Sequence, residues 1–379
     1  MQQEHIGIGS MQKLSKILIE EGPKNIFLAT GKTSYESSGA KKKIEELIGK
    51  YSYIHFFDFA INPSIEDVKK GIELYKKENC DITIAVGGGS VIDIAKSINS
   101  LASQEYEPKT YITQKNTIKN KGHKLIAIPT TAGTGSEATH FAVIYIDKTK
   151  YSLSHKEFIL PDYVILDPSL TLKLPARITA VTGIDALAQA VEAYWSVNST
   201  DESKDYAKKA IPLILSNLST AVKNPTEASR IAMMKAANFA GKAINIAKTT
   251  ACHAISYPIT SYFGVPHGHA VGLTLSEMVV YNNNITNEDC IDNRGVEYVK
   301  NTMKELTRLF GSDDETDIQV VINKLLQNIG LETNMSQVGI TSPADFDLII
   351  NHGFNPERVK NNPRKLTKLE LSRMLTRLK

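Results

Sequence analysis

A chain of 379 residues, 42% hydrophobic and 22% charged, has the composition of a globular protein long enough for two cores. Its 44 basic and 41 acidic side chains leave a formal charge of only +3, too small to make nucleic acid or an anionic membrane surface its partner. No stretch approaches about 18 uninterrupted apolar residues, so no helical membrane span is predicted. The start, MQQEHIGIGSMQKL, lacks the basic segment and apolar run of a signal peptide, and Cys80, Cys252 and Cys290 are too few for a disulfide framework. Both features point to a reducing cytoplasm.

In chain order, Lys24–Ala29 reads as a strand, Ser38–Gly49 as an amphipathic helix, Tyr53–Phe59 as a strand and Ile65–Glu78 as a helix. Asp81–Val86 is a third strand, followed by glycines and an apolar helix from Ser90. Lys124–Ile128 is a fourth, and Phe141–Ile146 a fifth. Strands alternating with helices argue for βαβ units and a parallel sheet. Leu160–Leu174, with three prolines, reads as a connector. Beyond it the apolar spacing is near 3.6, as in Ile184–Trp195, Tyr206–Val222, Glu227–Ala247 and Val296–Phe310. The expected organisation is an α/β dinucleotide-binding domain over 1–178 and an all-α metal-binding and substrate domain over 179–379. The basic run from Arg358 to Lys379 reads as a solvated helix face.

The third strand runs into Gly87-Gly88-Gly89-Ser90 and a helix. Glycines let a backbone approach a pyrophosphate closely, and a helix N-terminus offers amides and partial positive charge. Ser90 is placed as N-cap, with Asp93 three residues on in a capping-box position. Alone, the triple reads equally as a tight structural turn. A second loop after the fourth strand, with Thr130, Thr131, Thr134 and Ser136 among glycines, adds hydroxyls suited to a diphosphate and a ribose. Two such loops at strand ends define a nucleotide crevice.

In the helical half, Asp185 and Gln189 are four apart and share a helix face. His253 and His267 add imidazoles. A lone helical histidine is usually a satisfied core residue, but a carboxylate with two histidines suits a divalent first-row metal with an open position.

The segments GGGSVIDIAK, IPTTAGTGSEAT, GIDALAQAVEAY and HAISYPITSYFGVPHGHA, in this order and spacing, resemble the iron-containing (group III) alcohol dehydrogenase family. The resemblance spans about residues 5 to 375. It implies a dehydroquinate-synthase-like fold, α/β followed by all-α, and metal ligands at Asp185, Gln189, His253 and His267, with Fe2+ or Zn2+ as the metal. It also implies cofactor contacts at Asn62, Gly87, Gly88, Gly89, Ser90, Asp93, Thr130, Thr131, Thr134 and Ser136. The chain departs from the family in three places. Gln189 stands where a histidine is common, offering a carbonyl oxygen in place of an imidazole nitrogen. Tyr257 stands where many members have a proton-handling histidine. Gly31 stands where NAD-preferring members carry an Asp on the ribose hydroxyls. With Lys32 and Ser34 beside it, Gly31 implies room for a 2′-phosphate, hence NADPH over NADH.

GKTSYESSGA, LPDYVILDPSLT, YWSVNSTDES, GKAINIAKTTACHAISYP and NNPRKLT resemble one branch of that family, the phosphonoacetaldehyde reductases (2-hydroxyethylphosphonate dehydrogenases). The expected reaction is metal-dependent reduction of an aldehyde to a primary alcohol within phosphonate biosynthesis. Lys248, Lys242 and Asn245 are the expected anion contacts, and Tyr257, His269 and the cofactor's ribose hydroxyl the candidates for relaying the final proton. The alternatives are a general butanol- or lactaldehyde-type dehydrogenase, and a metal-free, non-catalytic nucleotide-binding protein. The expected partner is a small aldehyde, with no nucleic acid or membrane; a homodimer is compatible with this reading.

Overall fold

A computed structural model describes residues 2–114, 117–147, 149–314 and 316–379. It divides into two units, Met1–Leu174 and Pro175–Lys379. The expected break after residue 178 lies inside the helix Ala176–Trp195. The boundary falls instead at Pro175, which lacks an amide hydrogen and serves as that helix's N-cap.

The described residues of the first unit form strands β1 (Gln3–Ile6), β2 (Asn25–Thr30), β3 (Ser52–Phe56), β4 (Ile82–Gly87), β5 (Lys124–Pro129), β6 (Phe141–Ile146), β7 (Thr149–Ser154) and β8 (Tyr163–Leu166). Six of them make a parallel sheet in the order β1-β8-β5-β4-β2-β3. The central strands read as continuous apolar runs because both faces are covered. Ile26 and Leu28 of β2, Ile82 and Ile84 of β4 and Ile126 of β5 pack on one face with helices Lys13–Glu21 and Ala40–Ile48. Phe27, Ala29, Ala85, Leu125 and Ala127 point the other way, to helices Ile65–Lys77 and Gly89–Leu101.

Two expectations change here. The fifth expected strand, β6, lies outside the parallel sheet; it pairs antiparallel with β7 in a hairpin. Its place in the sheet is taken by β8, from the segment read as connector, and by β1 at the edge.

The second unit is helical throughout its longer described elements, with Asp201–Lys223, Glu227–Ala247, Ala251–Phe263, His267–Asn283 and Val296–Leu309 following Ala176–Trp195. Thr200 with Ser203, and Thr226 with Ser229, form capping boxes that start two of them. Helix Ala176–Trp195 is buried almost all round from Gly183 onward, as its uninterrupted small and apolar residues require. Most cations of the basic C-terminal run are exposed, as expected, and two of its arginines also pair with acids outside it. Arg364 bonds Asp289 at 2.7 Å and Arg377 bonds Glu277 at 2.6 Å. Among the described residues no helix is long and apolar enough to cross a membrane, and the three cysteines are free.

Candidate active site

In the first unit the strand order reverses at β2, with β3 on one side and β4 on the other. Thr30 lies opposite Val86 and Gly87 opposite Pro129, so three loops leave the sheet side by side. Such a reversal leaves a crevice beyond the carboxyl ends of the strands. Gly87 is required by packing: a Cβ there would lie 2.4 Å from Val91 Cγ2. Its carbonyl accepts from the Thr130 amide at 3.0 Å, tying the two glycine-rich loops together. A Cβ added to Gly88 would meet Thr131 at an ordinary 3.5 Å, whereas one added to Gly89 would crowd Thr134 at 2.8 Å.

The cap of helix Gly89–Leu101 differs from the expected one. Gly88 is the N-cap, and no side chain occupies it. Ser90 lies inside the helix and donates to the Ile61 carbonyl, beside the exposed Asn62. The first-turn amides are thus left to a phosphate. Asp93 does not return to the cap either. It is half-buried, accepting from Ser136 Oγ at 2.5 Å and from the Val143 amide at 3.0 Å. Behind it Lys96, 1% exposed, donates to the carbonyls of Thr139 at 2.8 Å, Phe141 at 3.0 Å and Ser136. Burial brings the Lys96 amine down to about 8, against the opposing charges of Asp93 and Glu137. Asp93 and Ser136, expected on the cofactor, therefore fasten the 130–141 loop from behind. Lys96 was missed; its one sequence signal is a lysine three residues after Asp93 on a helix with no other charge.

After β2, Gly31 has only the rotatable Ser34 hydroxyl against it, 2.1 Å from an added Cβ. Lys32 stands 3.8 Å from Asp58, both well exposed. Thr30 Oγ1 meets His55 Nε2 at 2.8 Å.

In the second unit Asp185, His253 and His267 come together from three helices, with one ligand atom of each within 4.8 Å of the others. His253 Nε2 is 3.5 Å and His267 Nε2 3.9 Å from Asp185 Oδ1. Gly268 permits this approach. A Cβ on it would lie 2.1 Å from the Val181 carbonyl and 2.8 Å from Asp185 Cβ. Ser256 gives its only hydroxyl proton to the His253 carbonyl at 2.8 Å, so towards His267 Nδ1, 3.3 Å away, it accepts. That leaves the Nε2 lone pair of His267 for a cation. One carboxylate and two imidazoles converging in this way fit a divalent first-row metal.

Gln189 is placed beside the trio: its Nε2 donates to Asp185 Oδ2 at 3.1 Å and so orients the carboxylate, a bond that does not engage the Oε1 atom expected to ligate. Sequence reasoning missed Glu192, fully buried, which meets His253 Nδ1. It sits at i+7 from Asp185 on the same helix face, a charged residue in an apolar run. Burial alone would depress the His253 imidazole; the charges and hydrogen bonds of Glu192 and Asp185 raise it, so a bound metal would have to displace a proton from Nε2.

Tyr257 is half-buried and stacks on His267, with ring centroids 6.2 Å apart. His269 does not share its position. Two residues past His267 it turns roughly 200° around the helix, is fully buried, and bonds the Glu332 carbonyl at 2.8 Å. The expectation that it relays a proton is corrected by that engagement. Lys242 lies 5.7 Å over the Tyr206 ring, a surface contact, and Asn245 is half-buried on the same helix. Lys248 is exposed at the C-cap of that helix with φ 63 and ψ 168, a conformation costing about 1–3 kcal/mol outside glycine. The turn is braced on both sides. Ser196 donates to the Ala247 carbonyl at 2.7 Å, and buried Asn361 to the Thr249 carbonyl at 3.0 Å.

A parallel-sheet unit with an open phosphate-binding helix end, followed by a helical unit with a carboxylate–histidine trio, defines a metal- and nucleotide-dependent dehydrogenase. Residues 2–168 match the iron-containing alcohol dehydrogenase model, and residues 179–378 the model for the C-terminal part of the same family. The chain belongs to the iron-containing alcohol dehydrogenase family. It is 34% identical to long-chain-alcohol dehydrogenase 1 of Geobacillus thermodenitrificans, over 73% of this chain and 71% of that one. It is 33% identical to phosphonoacetaldehyde reductase of Streptomyces viridochromogenes, over 78% and 75%. Among solved structures, sulfoacetaldehyde reductase from Bifidobacterium kashiwanohense in complex with NAD+ matches with a TM-score of 0.89 at 30% identity, covering 100% of this chain and 96% of that one. A 1,3-propanediol oxidoreductase matches with a TM-score of 0.89 at 27% identity, over 100% and 98%. The protein is therefore an oxidoreductase acting on alcohols or aldehydes.

Proposed function

We propose that this enzyme reduces a small aldehyde carrying an anionic head group to its primary alcohol, with phosphonoacetaldehyde giving 2-hydroxyethylphosphonate as the substrate of choice. The observation that carries this reading is Lys248, an exposed ammonium held in a forced backbone conformation five residues ahead of His253. Two of the relatives above, named for phosphonoacetaldehyde and sulfoacetaldehyde, support it, since both names denote two-carbon aldehydes with an acidic group.

Asp185, His253 and His267 would hold the metal, Fe2+ or Zn2+, and Gln189 would orient Asp185. When bound, the metal supplies Lewis-acid polarisation of the carbonyl and the nicotinamide supplies the hydride. Tyr257, stacked on His267, would deliver a proton to the product oxygen. In the first unit Gly31 leaves space for a 2′-phosphate, and Lys32 would exchange Asp58 for it, which favours NADPH. Reduction of this kind, by a chain with free cysteines, suits the cytoplasm.

The test compares substrates. A charge-assisted bond to a phosphonate is worth about 1.5–3 kcal/mol, so Lys248→Met should lower kcat/KM for phosphonoacetaldehyde roughly tenfold to a hundredfold. Turnover of butanal and the metal content should barely move. Equal losses on both aldehydes would make Lys248 structural. A wild type that prefers butanal would return the enzyme to the general alcohol dehydrogenase reading.

A further inference from the structure

We propose that Glu192 is the positioning residue that sets the metal-binding tautomer of His253, using one oxygen for the ring and the other for the start of the ring's own helix. The proposal rests on the reading of Asp185, His253 and His267 as a metal site. Helix Ala251–Phe263 has no side-chain cap from its own N-cap residue, Thr250. Glu192 Oε1 takes that place from the neighbouring helix. It accepts from Thr250 Oγ1 at 2.7 Å and from the Cys252 amide at 2.8 Å. Trp195 Nε1 completes the arrangement by donating to Thr250 Oγ1 at 3.0 Å.

Glu192 Oε2 meets His253 Nδ1. A carboxylate only accepts, so the ring proton belongs on Nδ1 and the lone pair on Nε2. Nε2 is the atom that lies 3.5 Å from Asp185 Oδ1. The cap fixes where the helix begins and the ring bond fixes its rotation and tautomer. Neither oxygen touches the metal position. A glutamine here would keep an oxygen for the cap but turn an N–H donor on Nδ1, moving the ring proton to Nε2, where it blocks ligation.

The experiment measures Zn2+ affinity of the metal-free full chain by chelator competition, for wild type, Glu192→Gln and Thr250→Val. Glu192→Gln should bind Zn2+ about 10–100-fold more weakly, and Thr250→Val, which weakens the cap but spares the ring bond, within about threefold of wild type. In Zn2+-loaded wild type labelled with 15N-histidine, the His253 Nδ1 proton should resonate far downfield; at saturating Zn2+ it should move upfield in Glu192→Gln. Equal Zn2+ affinity in wild type and Glu192→Gln overturns the proposal. So do equal losses in the two variants, or a wild type without the downfield Nδ1 proton. A wild type that binds no Zn2+ removes the metal reading itself.

Discussion

At the ends of β4 and β5 the glycine-rich loops present a helix start with no side-chain cap, while the nearby charges, Asp93 and Lys96, bond within the fold. Around Asp185 the charged and imidazole side chains face one another directly. The difference separates two kinds of vulnerability. In the helical unit binding would be carried by a few side chains, so truncating one should remove function with modest cost to the fold. In the sheet unit binding is carried by backbone shape, so a substitution should act on stability first.

The largest effect tests the helical side of this contrast. His253→Ala and His267→Ala should each lose the metal, beyond the 10–100-fold typical of outer partners, as read by elemental analysis of protein purified without chelator. Gln189→His should retain metal or tighten it. If both alanine variants kept metal and turnover, the trio would be misassigned.

Lys96→Met tests the other side. It strips a buried partner from Asp93 and the donors from three carbonyls, and should cost about 3–5 kcal/mol in urea unfolding. Unchanged stability would mean that the loop is held by something else. A smaller loss, about 1–3 kcal/mol from overpacking against Val91, is expected for Gly87→Ala, together with weaker NADPH binding and normal metal content. Loss of metal in that variant would break the separation between the units.

Gly31→Asp sharpens the contrast most gently. Ser34 can rotate away, and the new carboxylate should shift preference toward NADH by about tenfold, or 1.4 kcal/mol. The ratio of kcat/KM for the two cofactors checks it. A wild type already as efficient with NADH would end the NADPH reading.

How much of this was legible follows from the same physics. β2, β4 and β5 are covered on both faces and announce themselves as apolar runs. β1, with Gln3, Glu4 and His5 in four residues, and β8, four residues between prolines, carry no periodicity to read. β6 was legible as a strand but not its partner, because β7 is the polar TKYSLS and pairing is a tertiary fact. At the metal trio the residue types and family spacing were enough to name Asp185, His253 and His267. Glu192, Gln189's role as donor and the diversion of His269 depend on which way a side chain turns within a packed helix bundle. That Asp93 and Ser136 bond each other behind the glycine loop was hidden for the same reason, because a sequence does not show which way a hydroxyl or carboxylate turns.

The brace on the turn ahead of His253 has a consequence in time. Asn361, which holds the Thr249 carbonyl, lies 112 residues downstream of it. At synthesis rates of about 5–20 residues per second, roughly 6–22 s separate the making of the two. A conformation that costs about 1–3 kcal/mol outside glycine is not expected to persist unbraced, so the turn ahead of His253 should settle only once Asn361 has been made.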